Sequence, residues 1–241
     1  MSRKSFENYG TRAESLKDHT VISGRYALQR EAEKNILPDI IKKLHLNFLD
    51  NFLEIGCGTG NLLIPVAFLV RNATGIDHTS CLKSLRQRCD SENIALIPGN
   101  FLDLSIDMRF NKILCYSVLH YLQDAREVFI FIDKALSLLT PGGWALFGDI
   151  PNQSHKDRFA QSERGKRFAT EWQKMIAVQS TSEGEQHTVN IDRECVVFND
   201  DLTMKILMHF RRQGYDTYIF PQPPNLPFGN TREDILIIKH D

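Results

Sequence analysis

The stretch Phe52-Leu53-Glu54-Ile55-Gly56-Cys57-Gly58-Thr59-Gly60-Asn61 decides the fold of this 241-residue chain. An apolar run ends there in a glycine-rich turn, and a second apolar run follows at once over residues 62–70. This order predicts a strand, a tight turn and a helix. Three glycines within five residues let the backbone approach a ligand closely, and the amides at the start of the next helix suit a polar or anionic group.

Predicted strands and helices alternate after this turn, which implies a parallel sheet with helices on both faces. Thr79 or Ser80 is the expected N-cap of the second helix of this series. The strands are predicted at residues 51–57, 73–77, 94–97, 110–117, 144–150, 215–220 and 235–239, and the helices at 61–70, 80–89, 124–139 and 201–212.

Two long segments depart from the alternation. Residues 1–20 are polar and carry a break at Tyr9-Gly10, and apolar residues at three- and four-residue spacing predict a helical segment over 23–46. Residues 151–199 are polar and charged, with a predicted helical centre over 162–178 and a loop at 181–185. The N-terminal segment is expected to cover the ligand, to pack as a helix on the edge of the sheet, or to do both, and residues 151–199 are expected to serve the ligand.

Composition indicates one globular domain, with 42% hydrophobic and 24% charged residues. We expect residues 1–241 to divide into an arm (1–48), a ligand-binding core (49–150), an insert (151–199) and a C-terminal helix with a strand pair (200–241). The net charge of −1 gives no electrostatic case for nucleic acid or an anionic membrane. Five cysteines without a Cys-x-x-Cys pair, no apolar run of about 20 residues and no signal-peptide pattern predict a cytoplasmic protein.

An acidic residue closes the second predicted strand. Asp77 follows Gly60 by 17 residues. A carboxylate in this position can accept hydrogen bonds from both ribose hydroxyls of a nucleoside that lies across the strand ends. The alternative is an exposed acid that caps the next helix.

Four motifs together resemble the class I S-adenosylmethionine (SAM)-dependent methyltransferases, over roughly residues 50–150. Glu54-x-Gly-x-Gly-x-Gly60 resembles their motif I, and Asp77 resembles motif II. Gly99-Asn100-Phe101 resembles their Gly-Asp-hydrophobic motif, with Asn100 as a departure from the usual acid. Ser117-Val-Leu-His120 resembles the small-molecule form of motif IV.

The resemblance implies a Rossmann-like sheet of seven mostly parallel strands, with helices on both faces and the last strand antiparallel. It also implies SAM as cofactor and S-adenosylhomocysteine (SAH) as product. The turn would hold the amino-acid part of SAM, Asp77 the ribose, and the backbone near Cys115 and Ser117 the methionine ammonium. Asn100 and Phe101 would hold the adenine, with His78 beside it or at the surface. The turn residues implied are Glu54, Gly56, Cys57, Gly58, Gly60 and Asn61.

Methyl transfer is an in-line displacement, so the protein mainly aligns the two reactants, and a hydroxyl acceptor benefits from a base. The sequence offers His120, Asp149 and either His155 or His187 as that base, without deciding among them. His120 acts as a base or orients its loop; Asp149 contacts the substrate or fixes a loop. No metal is expected, because the fourth strand lacks the acid at its end that a catechol-type metal site requires.

The implied activity is methyl transfer to a small molecule, with a hydroxyl of a sugar, sugar phosphate or similar metabolite favoured. The C-terminal stretch also resembles that of methyltransferases encoded with bacterial surface-polysaccharide enzymes. The alternatives are N-methylation of a small amine or RNA, and a SAM-binding subunit without catalysis. Basic residues of the insert either suit an acidic acceptor or form a solvated helix face: Lys156, Arg158, Arg164, Lys166 and Arg167.

We also expect the first 30 residues and the insert to form the acceptor pocket and its lid. Loops beyond the carboxyl ends of parallel strands carry specificity in such folds. The expected aromatic contacts in these two segments are Tyr9, Tyr26, Phe159, Phe168 and Trp172. No partner other than a small-molecule acceptor is predicted, and the sequence gives no oligomeric state.

Overall fold

The computed structural model describes residues 3–182 and 195–241. Its centre is a seven-stranded sheet in the order β3-β2-β1-β4-β5-β7-β6. Six strands run parallel, and β7 alone is antiparallel, pairing with β5 and β6. This confirms the predicted sheet. The strands are β1 (Asn51–Ile55), β2 (Asn72–Asp77), β3 (Ile94–Pro98), β4 (Phe110–Tyr116), β5 (Leu139–Pro151), β6 (Asp216–Pro221) and β7 (Arg232–Ile238).

Helices cover both faces of the sheet. Alternate residues of β1 point to opposite faces, so Phe52 packs into one hydrophobic cluster and Leu53 into the other. The Leu53 cluster is completed by α7 and α10, and the Phe52 cluster by α4, α5 and α6. The helices are α1 (Arg3–Ser15), α2 (His19–Ile22), α3 (Arg30–Glu33), α4 (Ile36–Leu44), α5 (Leu63–Ala67), α6 (Thr79–Arg88), α7 (Ala125–Ser137), α8 (Gln153–Gln161), α9 (Glu163–Ser182) and α10 (Asp200–Arg212).

One prediction for the N-terminal segment was wrong. Helix α1 continues through Tyr9-Gly10, where a break was expected. A side chain at Gly10 would meet the His78 ring at 2.3 Å, so glycine is required there by close packing rather than by a turn. The helical pattern over 23–46, in which Pro38 was expected to interrupt the segment or to start a second helix, forms a 3₁₀ turn at Ala27–Gln29, then α3 and α4, and Pro38 lies in the first turn of α4.

Two element boundaries also differ from prediction. The N-cap of α6 is His78, whose ring accepts a hydrogen bond from the Ser80 amide, rather than Thr79 or Ser80. Strand β5 begins at Leu139 instead of residue 144, because Leu139 pairs with Phe110 and the strand runs through Pro141. Within residues 3–182 and 195–241, no helix is long and apolar enough to cross a membrane.

The register of the strands brings distant residues to one edge of the sheet. Tyr116 lies opposite Gly148, so the next residues, Ser117 and Asp149, emerge side by side. Pro151 lies opposite Arg232, which brings the start of β7 to the same edge. This edge holds the carboxyl ends of β1, β2, β4 and β5, where ligands bind in open parallel sheets.

Candidate active site

The glycine-rich turn connects β1 to α5 and leaves room for a ligand at one glycine. Gly56, Gly58 and Gly60 all have positive φ, at 81°, 54° and 89°. A side chain at Gly56 would collide with Val118, and one at Gly60 with Leu85. At Gly58, a Cβ atom would meet no atom of the described residues within 4 Å. Gly58 therefore faces open space, while the other two glycines allow close packing.

Asp77 holds this turn in place from the end of β2. Its carboxylate accepts hydrogen bonds from the Gly58 amide at 2.7 Å and from the His78 amide at 2.6 Å. Burial raises the pKa of Asp77, and these two amides oppose the rise. The carboxylate therefore orients the loop and retains lone pairs for further donors.

Glu54 lies buried at the end of β1 and lacks a full set of partners. Its side chain is 3% exposed, and Oε2 accepts no hydrogen bond from the described residues. Burial and then the charge of Asp77 raise the pKa of Glu54 to about 8, while Arg25 opposes the shift. A buried carboxyl with an unpaired oxygen is costly unless a ligand cation satisfies it.

A small cavity of about 70 Å³ lies between the turn and the N-terminal segment. Helix α1 packs along α6, and Phe6 contacts the His78 ring edge-on at 5.1 Å. The N-terminal segment therefore covers the cavity. Its lining comprises Tyr9, Ile22, Ser23, Arg25, Glu54, Gly56, Cys57, Gly58, Thr59, Asn61, Leu62, Asp77, Cys81, Tyr116, Ser117 and Val118.

The sequence-predicted cofactor residues divide between this lining and its surroundings. Seven of them line the cavity: Glu54, Gly56, Cys57, Gly58, Asn61, Asp77 and Ser117. His78 caps α6 and contacts α1, Phe101 packs on Phe131 in the core, and Cys115 is buried within β4. Gly60 closes the turn, and Asn100 precedes a 3₁₀ turn at Phe101–Asp103.

A larger cavity of about 710 Å³ adjoins the first. Both cavities are lined by Ser23, Arg25 and Ser117, so they meet at these three residues. The walls come from the N-terminal segment, the ends of β4 and β5, helices α8 and α9, and the loop before β7. They include Tyr26, His120, Tyr121, Asp149, Lys156, Phe168, Trp172, Val196, Val197, Phe198, Leu226, Phe228 and Arg232.

Ser117 and Asp149 form a strained pair where the cavities meet. Both have positive φ, at 61° and 59°, which is uncommon for residues other than glycine. The Ser117 hydroxyl donates to Asp149 Oδ2 at 2.5 Å and accepts from Arg25 at 3.3 Å. Such strain persists only where surrounding contacts fix it, and it concentrates at functional sites.

Three further contacts fix Asp149 from the side of β7. Arg232 donates to the Asp149 carbonyl at 3.2 Å, and its Nε lies 3.7 Å from Asp149 Oδ1. The Asp149 amide donates to Asp234 Oδ1 at 2.8 Å. Asp234 is itself paired with Lys43 at 2.6 Å. The Asp149 carboxylate is therefore engaged on both oxygens.

His120 is the other titratable group of the larger cavity. It is 6% exposed, and its Nδ1 atom has no hydrogen-bond partner in the described part of the chain. Burial, then the charges of Arg232 and Arg25, lower its pKa well below the ordinary value. His120 is therefore a neutral imidazole at pH 7.

The other candidates from the sequence lie elsewhere. His155 lies 3.7 Å from Glu233 and does not line either cavity, and His187 lies outside the described residues. Of the five basic residues predicted for the insert, all of which the structure describes, Lys156 alone lines the larger cavity; Arg158 pairs with Asp200 and Lys166 with Glu163. Within residues 3–182 and 195–241, no cluster of histidine, cysteine or acidic side chains could hold a metal.

Sequence reasoning missed three charged residues of the site. Arg25 comes from the N-terminal segment, and Arg232 and Asp234 come from the last strand. None belongs to a motif near the glycine-rich turn. Their only signal was charge within otherwise apolar segments, and the topology of the sheet was needed to bring them to Asp149.

Residues 52–143 match the family model described as a methyltransferase domain. The chain is also 26% identical over 137 residues to an uncharacterized methyltransferase of Bacillus mycoides, covering 56% of this chain and 62% of that protein. It is 26% identical over 138 residues to the malonyl-[acyl-carrier protein] O-methyltransferase of Priestia megaterium, covering 55% of this chain and 49% of that protein. The matched region thus spans about half to three fifths of these relatives.

Solved structures share the whole fold at low identity. The N-methyltransferase NodS of Bradyrhizobium japonicum, solved with SAH, has a TM-score of 0.63 and 16% identity, covering 98% of this chain and 99% of that one. A phosphoethanolamine N-methyltransferase of Haemonchus contortus has a TM-score of 0.71 and 16% identity, covering 99% of this chain and 49% of that one. These solved structures show the fold that the chain shares with them, and residues 52–143 are the part that is similar to a methyltransferase domain.

Proposed function

We propose that this protein transfers a methyl group from SAM to a hydroxyl of a small molecule. The observation that carries the proposal is the pair of adjoining cavities. One is lined by the glycine-rich turn, Glu54 and Asp77, and the other by His120 and Asp149. A methyltransferase needs one site for each reactant, with the two reacting atoms at their junction.

The residues of the smaller cavity fit the functional groups of SAM. The unpaired oxygen of Glu54 suits an ammonium group, and Asp77 suits the ribose hydroxyls. Gly58 leaves space for the ligand at the turn. When bound, the cofactor supplies an electrophilic methyl group on a positive sulfonium. Ligand pockets usually measure about 300–1,000 Å³, so the cavity of about 70 Å³ requires the N-terminal segment to move before binding.

His120 is the proposed base. Its neutral imidazole lines the larger cavity and receives the proton of the acceptor hydroxyl. Asp149 is the positioning residue, because both of its carboxylate oxygens are engaged by Ser117 and Arg232. A base beside the acceptor supports a hydroxyl over a neutral amine, because the hydroxyl must lose its proton to act as nucleophile.

We further propose that residues 1–48 and 151–199 act as a lid within a single domain. Tyr26 of the N-terminal segment contacts Trp172 of α9 edge-on at 5.3 Å. Phe168 stacks on Trp172 at 6.0 Å between ring centres, and the hydroxyls of Tyr9 and Tyr121 share a hydrogen bond of 2.6 Å. These contacts support closure of both segments over the site, which excludes water during transfer.

The test is turnover of SAM with a panel of sugars, sugar phosphates, hydroxylated aromatic compounds and small amines, with SAH measured by mass spectrometry. We expect SAH formation with a hydroxyl acceptor, and a loss of about 10²–10⁴-fold in kcat for His120→Gln. Methylation of amines alone would refute the hydroxyl acceptor. SAM binding without turnover of any panel member would favour the alternative of a non-catalytic SAM-binding subunit.

A further inference from the structure

The charged side chains that line the larger cavity are mostly cations. Among the described residues, the charged side chains of the lining are Arg25, Lys156, Arg232 and a single acid, Asp149, and His120 is uncharged. Arg232 compensates Asp149, and Arg25 is paired with Glu33 behind the wall. The surplus positive charge of the described lining therefore comes from Lys156.

The acidic residues behind the walls are paired with residues other than Lys156, so they leave its charge uncancelled. Glu33 pairs with Arg25 at 3.2 Å and accepts from Thr20 and Asn61. Asp200 pairs with Arg158. Glu233 accepts from Asn152 at 2.9 Å. None of these three acids lines the cavity.

Lys156 differs from the two arginines in having no fixed partner. Within the described residues its ammonium group makes no hydrogen bond and no ion pair, and the residue lies on the side of α8 that lines the cavity. Arg232, in contrast, is held in a fixed orientation by Phe228, whose ring centre lies 4.8 Å away, and by Asp149. One oriented guanidinium and one free ammonium are suited to binding an anionic group of a ligand.

The remaining walls are aromatic and apolar. Tyr26, Phe168 and Trp172 form one side, and Trp172 lies between the other two rings. The lining also includes Phe228 and Leu226 from the loop before β7. Rings of this kind bind flat or ring-shaped ligands through their faces and edges.

We propose, building on the methyltransferase function above, that the acceptor is a ring compound bearing a carboxylate or phosphate group, bound by Arg232 and Lys156 and packed against Trp172. The anionic group and the ring face are recognised separately. The hydroxyl that is methylated then lies towards His120, and the anion lies towards Lys156. The shared chemistry fits an aromatic hydroxy acid or a sugar phosphate, which the test distinguishes.

The test compares anionic probes with neutral partners of the same shape. 4-Hydroxybenzoate is paired with 4-hydroxybenzamide, and glucose 6-phosphate with glucose. Binding of each probe to the larger cavity is followed by tryptophan fluorescence, because Trp172 lines that cavity. The second tryptophan, Trp144, lies outside the cavity, against Lys112 and His45. Trp172→Phe shows which tryptophan gives the fluorescence signal. This variant should lose the fluorescence change caused by the probe and should still bind SAM in a calorimetric titration.

We expect at least one anionic probe to bind about tenfold or more tightly than its neutral partner, in line with one charge-assisted hydrogen bond. Lys156→Gln should remove about three- to tenfold of that preference, and added salt should weaken the anionic probe only. Lys166→Gln, which removes a lysine paired with Glu163 outside the cavity, is the matched control and should change nothing. The better of the two anionic probes identifies the source of the anion.

Equal affinity for the charged and neutral members of both pairs would overturn the inference. The inference would also be overturned if neither anionic probe showed saturable binding. An equal effect of Lys156→Gln and Lys166→Gln on the charge preference would overturn it as well. Calorimetric titration with SAM reports separately on the proposed function, because Lys156 does not line the smaller cavity. Failure of SAM binding removes the proposed function, whereas loss of charge preference with SAM binding intact removes only the anionic acceptor.

Discussion

Replacing Glu54 with glutamine should stabilise the free protein while weakening its binding of SAM. Glu54 is buried, and its pKa lies at about 8 instead of the ordinary 4.5. The unfolded chain therefore releases this proton at a lower pH than the folded chain does. Glutamine has the same shape as the protonated carboxyl and cannot ionise.

The size of the effect follows from the two pKa values. Because the folded pKa is raised, stability is fully present below pH 4.5 and falls as pH rises towards 8. With about 1.36 kcal/mol for each pKa unit, the cost is under about 1 kcal/mol at pH 5 and about 3 kcal/mol at pH 7. The glutamine variant lacks this pH-dependent loss.

The assay is urea unfolding of both proteins between pH 5 and pH 8. We expect the free energy of unfolding of the variant to exceed that of the wild type by about 2–3 kcal/mol more at pH 7 than at pH 5. Glu92→Gln, at an exposed glutamate, is the matched control and should leave the pH dependence unchanged. If the free energies of unfolding of the wild type and Glu54→Gln changed in parallel between pH 5 and pH 8, the claim that Glu54 is buried and protonated would be refuted.

Two further predictions concern the metal and the lid. Treatment with a chelator should leave methyl transfer unchanged, because no acid ends β4 and the site works through His120; loss of activity restored by magnesium would show this to be wrong. Hydrogen exchange of residues 3–30 and 151–182 should slow when SAH and an acceptor bind, because Tyr26 and Trp172 then stay in contact. Equal exchange with and without ligands would contradict a lid, as would full turnover by a protein truncated of residues 1–20.

The sequence predicted those parts of the site that depend on local structure. The turn from Glu54 to Gly60 needs glycines at fixed spacing, and Asp77 ends the adjacent strand, so both could be recognised without the fold. Ser117 and Asp149 were placed at strand ends correctly. Their hydrogen bond and positive φ depend on the register of β4 against β5, which no local pattern encodes.

The parts that sequence reasoning missed come from packing between distant segments. Gly10 was interpreted as a break, although it allows α1 to lie against His78, 68 residues away. Arg25 and Arg232 reach the same site from opposite ends of the chain. Burial of His120, which determines its protonation, depends on both of these segments and was likewise inaccessible from a single motif.

The central claim is that the turn and Asp77 bind SAM, and calorimetric titration tests it most directly. We predict saturable binding of SAM to the wild type, weakened about tenfold or more by Asp77→Ala, because hydrogen bonds to a carboxylate contribute about 1.5–3 kcal/mol each. Gly58→Val should weaken binding similarly, because its side chain would enter the space that faces the turn. Asp90→Ala, at an exposed acid beside Arg86, is the control and should bind as the wild type does. Failure of the wild type to bind SAM, or unchanged affinity in both site variants, would contradict the account.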